Sequence, residues 1–295
     1  MVAMDARMFD TVCLPFPVRS ALQALTLAFD FEWVQQTMLE GAFKRIPSYF
    51  GASSLAHEGR ATGREAALLA PFVGELPPGA LEATIEQPRT NADGLNRRGL
   101  RKASKLLAEA GFVITDGVLR DEAGEPFRFE IILPPSKSTY EKVVNVFVDA
   151  LKRLGVSAEV RLVDTAQYEA RRISYDFDMI IEGWGLSLSP GNEQIRYWGS
   201  DGVTADGSRN YMGAANPAID AMIDVLVRAE DREDLVAATR ALDRVLTAER
   251  YVIPFWYKPT TWIAHDKGLK YPDHISIYGD WPGFLPDVWW RSAEE

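Results

Sequence analysis

A chain of 295 residues with 47% apolar and 25% charged side chains has material for a large buried core, which excludes a disordered or fibrous protein. Its 42 acidic and 32 basic residues leave a formal charge of −10, a field that repels polyanions and anionic bilayers, so neither nucleic acid nor a membrane surface is an expected partner. Cys13 is the only cysteine, which rules out an internal disulfide and a thiolate metal cluster.

Apolar residues at helical spacing (Leu22, Leu25, Phe29, Trp33) predict a helix over 18–38, ended by the polar, Pro-bearing stretch after Gly41. Residues 43–95 carry Pro47, Pro71, Pro77, Pro78 and Pro88 among many Gly and Ser, and read as a long ordered loop. Over 96–110, Leu100, Ala103, Leu106, Leu107 and Ala110 share a helical face that Gly111 terminates, with the basic run from Arg97 to Lys102 on the solvated side. A hairpin turning at Asp116-Gly117 follows, then a strand in which Phe127, Phe129 and Ile131 alternate with Arg128 and Glu130.

Ser138 and Glu141 have the spacing of a capping box ahead of a helix carrying Val143, Val144, Phe147 and Leu151, closed by Gly155. Val156, Ala158, Val160 and Leu162 alternate as a strand, Asp164 caps a short helix to Ser174, and 177–181 is the next strand. Strand and helix alternating over 127–181 imply parallel crossovers and an α/β fold. Asn216-Pro217 opens one helix and a second follows through Leu246, after which 251–257 and 260–264 are strand-like.

Catalytic chemistry finds little support. His57, His265 and His274 are scattered without metal-ligand spacing, so no metal or cofactor is expected. The run Gly185-Leu186-Ser187-Leu188-Ser189 lacks the second glycine of a nucleophile elbow. Asp176, Asp178 and Glu182 share parity on the predicted strand and define one enzymatic alternative, a carboxylate-dependent hydrolase, although alternation with Phe177, Met179 and Ile181 is also what a half-buried strand shows.

Binding is better supported. The loop from Gly183 to Trp198 leaves the carboxyl end of a predicted strand, where open α/β sheets hold ligands. Trp184 and Trp198 offer flat apolar faces, while Gly185, Ser187, Ser189, Asn192 and Arg196 offer an approachable backbone and short polar groups. These seven residues are the candidate ligand-binding set.

The chain resembles the large solute-binding proteins, family 5, of peptide, opine and nickel ABC importers. The resemblance rests on residues 27–33 (LAFDFEW), 117–121 (GVLRD) before Gly124-Glu125-Pro126, 175–179 (YDFDM), 216–220 (NPAID) and 251–255 (YVIPF). The run 187–194 (SLSPGNEQ) is similar to the branch importing oligopeptides and microcin C-like peptides. The resemblance implies a type II periplasmic binding fold, a mixed sheet flanked by helices, whose two lobes close on a peptide or small solute for delivery to an ABC permease.

On that reading 1–35 is a remnant of the first lobe with a crossover helix, 36–250 the second, ligand-binding lobe, and 251–295 a return segment. A complete member is nearly twice as long, so the chain is expected to be truncated at its amino terminus, with the missing lobe to be supplied elsewhere. The resemblance implies a periplasmic protein. No export signal is read at the amino terminus, and a cytoplasmic sensor on the same fold is a further alternative. Relatives binding dipeptides and tripeptides place an aspartate two or three residues after the loop tryptophan, whereas this sequence has Leu186 and Ser187 there; the expected ligand therefore has a blocked amino end or one recognised by neutral groups.

Overall fold

The computed structural model describes residues 8–13, 19–260, 263–273 and 288–291. Strand β1 (Met8–Cys13) is followed by helices α1 (Arg19–Ala28) and α2 (Phe31–Thr37). The single helix expected over 18–38 is thus two. Asp30 leaves the helical backbone region and its side chain accepts the Trp33 N–H at 3.1 Å, which starts α2 afresh. Periodicity hides the break because Leu25, Phe29 and Val34 are buried in the same core on either side of it.

Residues 43–95 are mostly loop, as expected, interrupted by β2 (Lys44–Arg45), α3 (Gly63–Leu69) and a 3-10 turn at Ala70–Phe72. Asn96, whose side chain accepts the Gly99 N–H, opens α4 (Arg97–Glu109). Strands β3 (Val113–Thr115) and β4 (Val118–Arg120) turn tightly at Asp116-Gly117, both with positive φ. After β5 (Arg128–Leu133), a 3-10 segment Pro135–Tyr140 runs directly into α5 (Glu141–Lys152). The Ser138/Glu141 capping box is therefore not formed: Tyr140 already has helical φ and ψ, so Ser138 lies inside the helical path instead of at its start.

Strand β6 (Ser157–Leu162) leads to α6 (Thr165–Ile173), capped by Asp164 through the Gln167 N–H. Next come β7 (Met179–Gly185), α7 (Glu193–Trp198), α8 (Pro217–Val227) capped by Asn216, and α9 (Arg232–Glu249). Short strands β8 (Val252–Pro254), β9 (Trp256–Tyr257), β10 (Leu269–Lys270) and β11 (Trp290–Arg291) follow. The strand expected at 260–264 lies partly outside the described residues, and Ile263, 40% exposed, and Ala264 are not in one. His274 lies outside the described residues, as do the rest of 274–287 and all of 14–18.

The main sheet is mixed, in the order β6-β5-β7-β1-β8: β5 pairs in parallel with β6 and β7, and β1 runs antiparallel to β7 and β8. Alternation along the buried strands feeds two cores. Phe129, Ile131, Leu133, Met179 and Ile181 pack with α1, α4 and α5, whereas Ile132, Ile180 and Trp184 pack with α6, α8 and α9. Because β6 is the outer strand, Leu162, expected on its inner face, is 51% exposed.

Two fully buried side chains of α9 pin the long loop. Asp243 accepts the Phe50 N–H, the His57 N–H and the His57 ring Nδ1 at 2.7–2.9 Å. The His57 Nε2 accepts the Ile85 N–H, which assigns the ring proton to Nδ1. Arg244 binds Glu65 at 2.5 Å and the carbonyls of Glu58, Ala80 and Ala83. Among the described residues no helix is long and apolar enough to cross a membrane.

Candidate functional site

Strand β7 outruns its parallel neighbour. Its pairing with β5 is Ile131↔Met179 and Ile132↔Ile180, and β5 ends at Leu133, while β7 continues beside β1 to Gly185. The open flank beyond Ile181 forms a crevice of about 530 Å³ between the 3-10 segment after β5, α6 and the chain around Arg209. It lies past the carboxyl end of β5, whose connections leave to β6 on one side and return to β7 on the other, the switch point where open sheets accept ligands.

Ionic side chains line this crevice. Glu182 receives the Tyr168 hydroxyl at 3.3 Å and lies 3.7 Å from the Lys137 ammonium and 3.9 Å from Arg172. Lys137 also donates to the Ile181 carbonyl. Arg172 is held by Glu169 at 2.5 Å and donates to the Tyr211 hydroxyl. Burial works against the Arg172 charge, but the Glu169 hydrogen bond and the fields of Tyr211 and Glu182 outweigh it and lift its pKa above the ordinary value. Burial also lifts the Tyr211 phenol, against the pull of Arg172, so Tyr211 keeps its proton at neutral pH.

The carboxylate set read from the sequence is not assembled. Strand β7 begins at Met179, so Asp176 and Asp178 precede it. Asp176 pairs with Arg171, Asp178 accepts the Glu130 N–H, and only Glu182 reaches the crevice.

The seven candidate binding residues divide into two groups. Trp184 belongs to β7 rather than to the loop beyond it, and with Trp198 it is almost fully buried, at 2% and 0% exposure. The two indoles lie 5.0 Å apart, with Tyr49 edge-on to Trp198 and Tyr211 at 6.0 Å from Trp184. Trp198 donates to Gln194 at 2.6 Å, whereas the Trp184 indole N–H has no hydrogen-bond partner among the described residues. Both line a small apolar cavity with Ile46, Leu186, Val252 and Pro254, whose roughly 30 Å³ of space is of water size.

The polar members are exposed. Gly185, Ser187, Ser189, Asn192 and Arg196 follow one another along the loop surface, where the Ser187 hydroxyl accepts the Ser189 N–H and shapes a turn. On one side of this loop lies the ionic crevice, which Gly183 and Arg196 help to line. On the other lies a cleft of about 790 Å³ bounded by Leu188 and by Ser48, Ser53, His57 and Arg45 of the long loop. Residue-level reasoning missed Lys137, Arg172, Arg209 and Tyr211, which come from separate elements and carry no local motif. Among the described residues no three His, Cys, Asp or Glu side chains converge as a metal site.

Residues 18–206 match the family model described as bacterial extracellular solute-binding proteins, family 5, middle. The chain belongs to that family. A probable peptide-binding protein of Agrobacterium fabrum is 39% identical over 269 residues, 91% of this chain and 43% of that protein. A peptidoglycan-binding protein of the same organism is 38% identical over 283 residues, 96% of this chain and 45% of that one. The family 5 chain thus spans less than half the length of these curated relatives. Its fold matches the oligopeptide-binding protein from Bacillus subtilis, solved in complex with a nonapeptide, with a TM-score of 0.67 at 20% identity, covering 99% of this chain and 52% of that structure.

Proposed function

We propose that this family 5 chain supplies the ligand-grasping loop of a solute-binding component of an ABC importer, with peptides as its ligand class. The observation that carries the reading is the surface run Gly185, Ser187, Ser189, Asn192 and Arg196, set on the packed Trp184–Trp198 pair and flanked by a concavity on either side. A rigid aromatic base holds the loop, and its exposed polar groups meet a peptide backbone that needs donors and acceptors more than a particular shape. The names of the relatives support peptide-bearing ligands. Capture is by closure against the part of the protein that these relatives possess beyond the matched length, followed by delivery to a membrane permease, which places the working protein in the periplasm.

Loop chemistry also bears on the ligand's amino end. Leu186 is buried and Ser187 is neutral, so no carboxylate follows the tryptophan at the two positions that would meet a free ammonium. Acylated peptides should therefore bind at least as well as free-amine ones. The test is thermal unfolding of the purified chain with a mixed peptide library, then calorimetry on matched free and N-acetylated peptides. Peptide at 100 times its Kd should stabilise the chain by about 2.7 kcal/mol. The binding reading falls if no peptide shifts the transition, and a strong preference for free amines would overturn the reading of the amino end alone.

A further inference from the structure

We infer that the small cavity beside the Trp184–Trp198 pair is a binding site for a halide ion, chloride, held by the Trp184 indole N–H, the Thr247 hydroxyl and the Arg250 guanidinium. The inference goes beyond the peptide-binding reading and stands without it.

Each of these groups is a donor that the fold itself does not use. Trp184 is 2% exposed, and its ring N–H finds no acceptor among the described residues. Thr247, in the last turns of α9, is 4% exposed. The helical threonines Thr26, Thr37 and Thr239 return their hydroxyls to the carbonyl four residues back, whereas the buried Thr247 hydroxyl makes no hydrogen bond among the described residues. Arg250 ends α9 with a left-handed backbone, φ 57°, and is half-buried. It makes no ion pair among the described residues, since its neighbour Glu249 is taken by Arg19 and by the Asn216 amide. All three residues line the same cavity of about 30 Å³, which has room for a guest the size of a water molecule.

Size admits a water or a monatomic ion, and charge decides between them. Burial and the like charge of Arg19 hold Arg250 below its ordinary pKa, as expected of a cation without a counter-ion. Burial also lowers Arg45, which borders the adjoining cleft, to about 10, and Arg250 adds to that effect against the pull of Glu32 and Asp30. A water molecule leaves the Arg250 charge uncompensated. A chloride ion accepts from all three donors and balances that charge. Walls formed by Ile46, Leu186, Val252 and Pro254 suit a large, weakly hydrated anion. Gln87 Oε1, an acceptor on the same wall without a donor among the described residues, is served by the N–H groups that the ion leaves free, because a guanidinium has five. A bound chloride thus ties β7, α9 and the loop bearing Gln87 together beside the aromatic base.

The purified chain is unfolded thermally in sodium gluconate and in sodium chloride of the same ionic strength, so that screening is constant and only the small anion can enter. At about ten times its Kd, chloride should raise the Tm by roughly 3–4 °C. Thr247→Val keeps the side-chain shape and removes the hydroxyl, and should weaken chloride binding about fivefold. Arg250→Gln should abolish the shift. A crystal grown in sodium bromide should place an anomalous scatterer within hydrogen-bond reach of the Trp184 ring nitrogen. Should Arg250→Gln fail to fold, the Thr247→Val titration and the bromide position decide the matter. Equal Tm values in the two salts, a chloride shift that survives undiminished in the variants, or bromide found only elsewhere overturns the inference and leaves the peptide reading standing.

Discussion

Asp243 shows how much of this molecule hangs on single buried groups. Its two oxygens accept the Phe50 and His57 backbone N–H groups and the His57 ring, all out of reach of water. Asp243→Ala would leave three buried donors unsatisfied and should lower stability by about 3–4 kcal/mol, read as a fall in the urea midpoint. The half-buried Arg240→Ala, one turn away, removes hydrogen bonds to the Ser54 carbonyl and serves as the comparison. A cost below about 1 kcal/mol for Asp243→Ala would mean that the loop over 46–90 is held by other contacts. The sequence could not disclose this pair, because its members are 186 positions apart and neither sits in a motif. Trp184 illustrates the reverse. Its size marks it as important, but the parity that turns it toward Trp198 and away from solvent depends on β7 extending to Gly185, and strand ends are the least legible feature of a sequence.

At the scale of elements, what was readable is what local chemistry determines. The helices capped by Asp164 and Asn216, the Asp116-Gly117 hairpin and the three parallel strands all follow from residues close in sequence. The split between α1 and α2, the 3-10 entry to α5 and the ionic crevice depend on neighbours supplied by other parts of the chain. The approach of α4 to α1 is a case where tertiary packing should defeat propensity. A Cβ on Gly99 would lie 2.3 Å from the Asn96 Oδ1 and 2.5 Å from the Leu27 carbonyl. Asn96 also donates to the Leu27 and Ala28 carbonyls, so the helix start is wedged against the end of α1. Alanine is favoured over glycine in a helix by about 1 kcal/mol, yet Gly99→Ala should be net destabilising by about 1–2 kcal/mol, since the backbone carbonyl cannot move aside cheaply. Thermal unfolding decides it, and a raised Tm would show that α4 shifts freely on α1.

At the scale of the whole molecule, the sheet owes its continuity to β1, its first strand. β1 takes six registered pairs with β7, from Met8↔Gly185 to Cys13↔Ile180, and three with β8. It is an interior strand, and among the described residues it alone joins the parallel set to the segment that returns after α9. It also sets the support of the loop after β7, because the last four residues of that strand, Glu182 to Gly185, pair with β1 and, among the described residues, not with β5. Starting the chain at Arg19 would therefore open two edges at once, on β7 and on β8, each presenting unpaired N–H and C=O groups to other chains. The expected outcome is dimers or larger aggregates by size-exclusion chromatography, with peptide binding lost as β7 frays toward Gly185. A shortened chain that stays monomeric and keeps its affinity would show that β7 and β8 close on one another, and that the loop takes its rigidity from the Trp184–Trp198 contact alone.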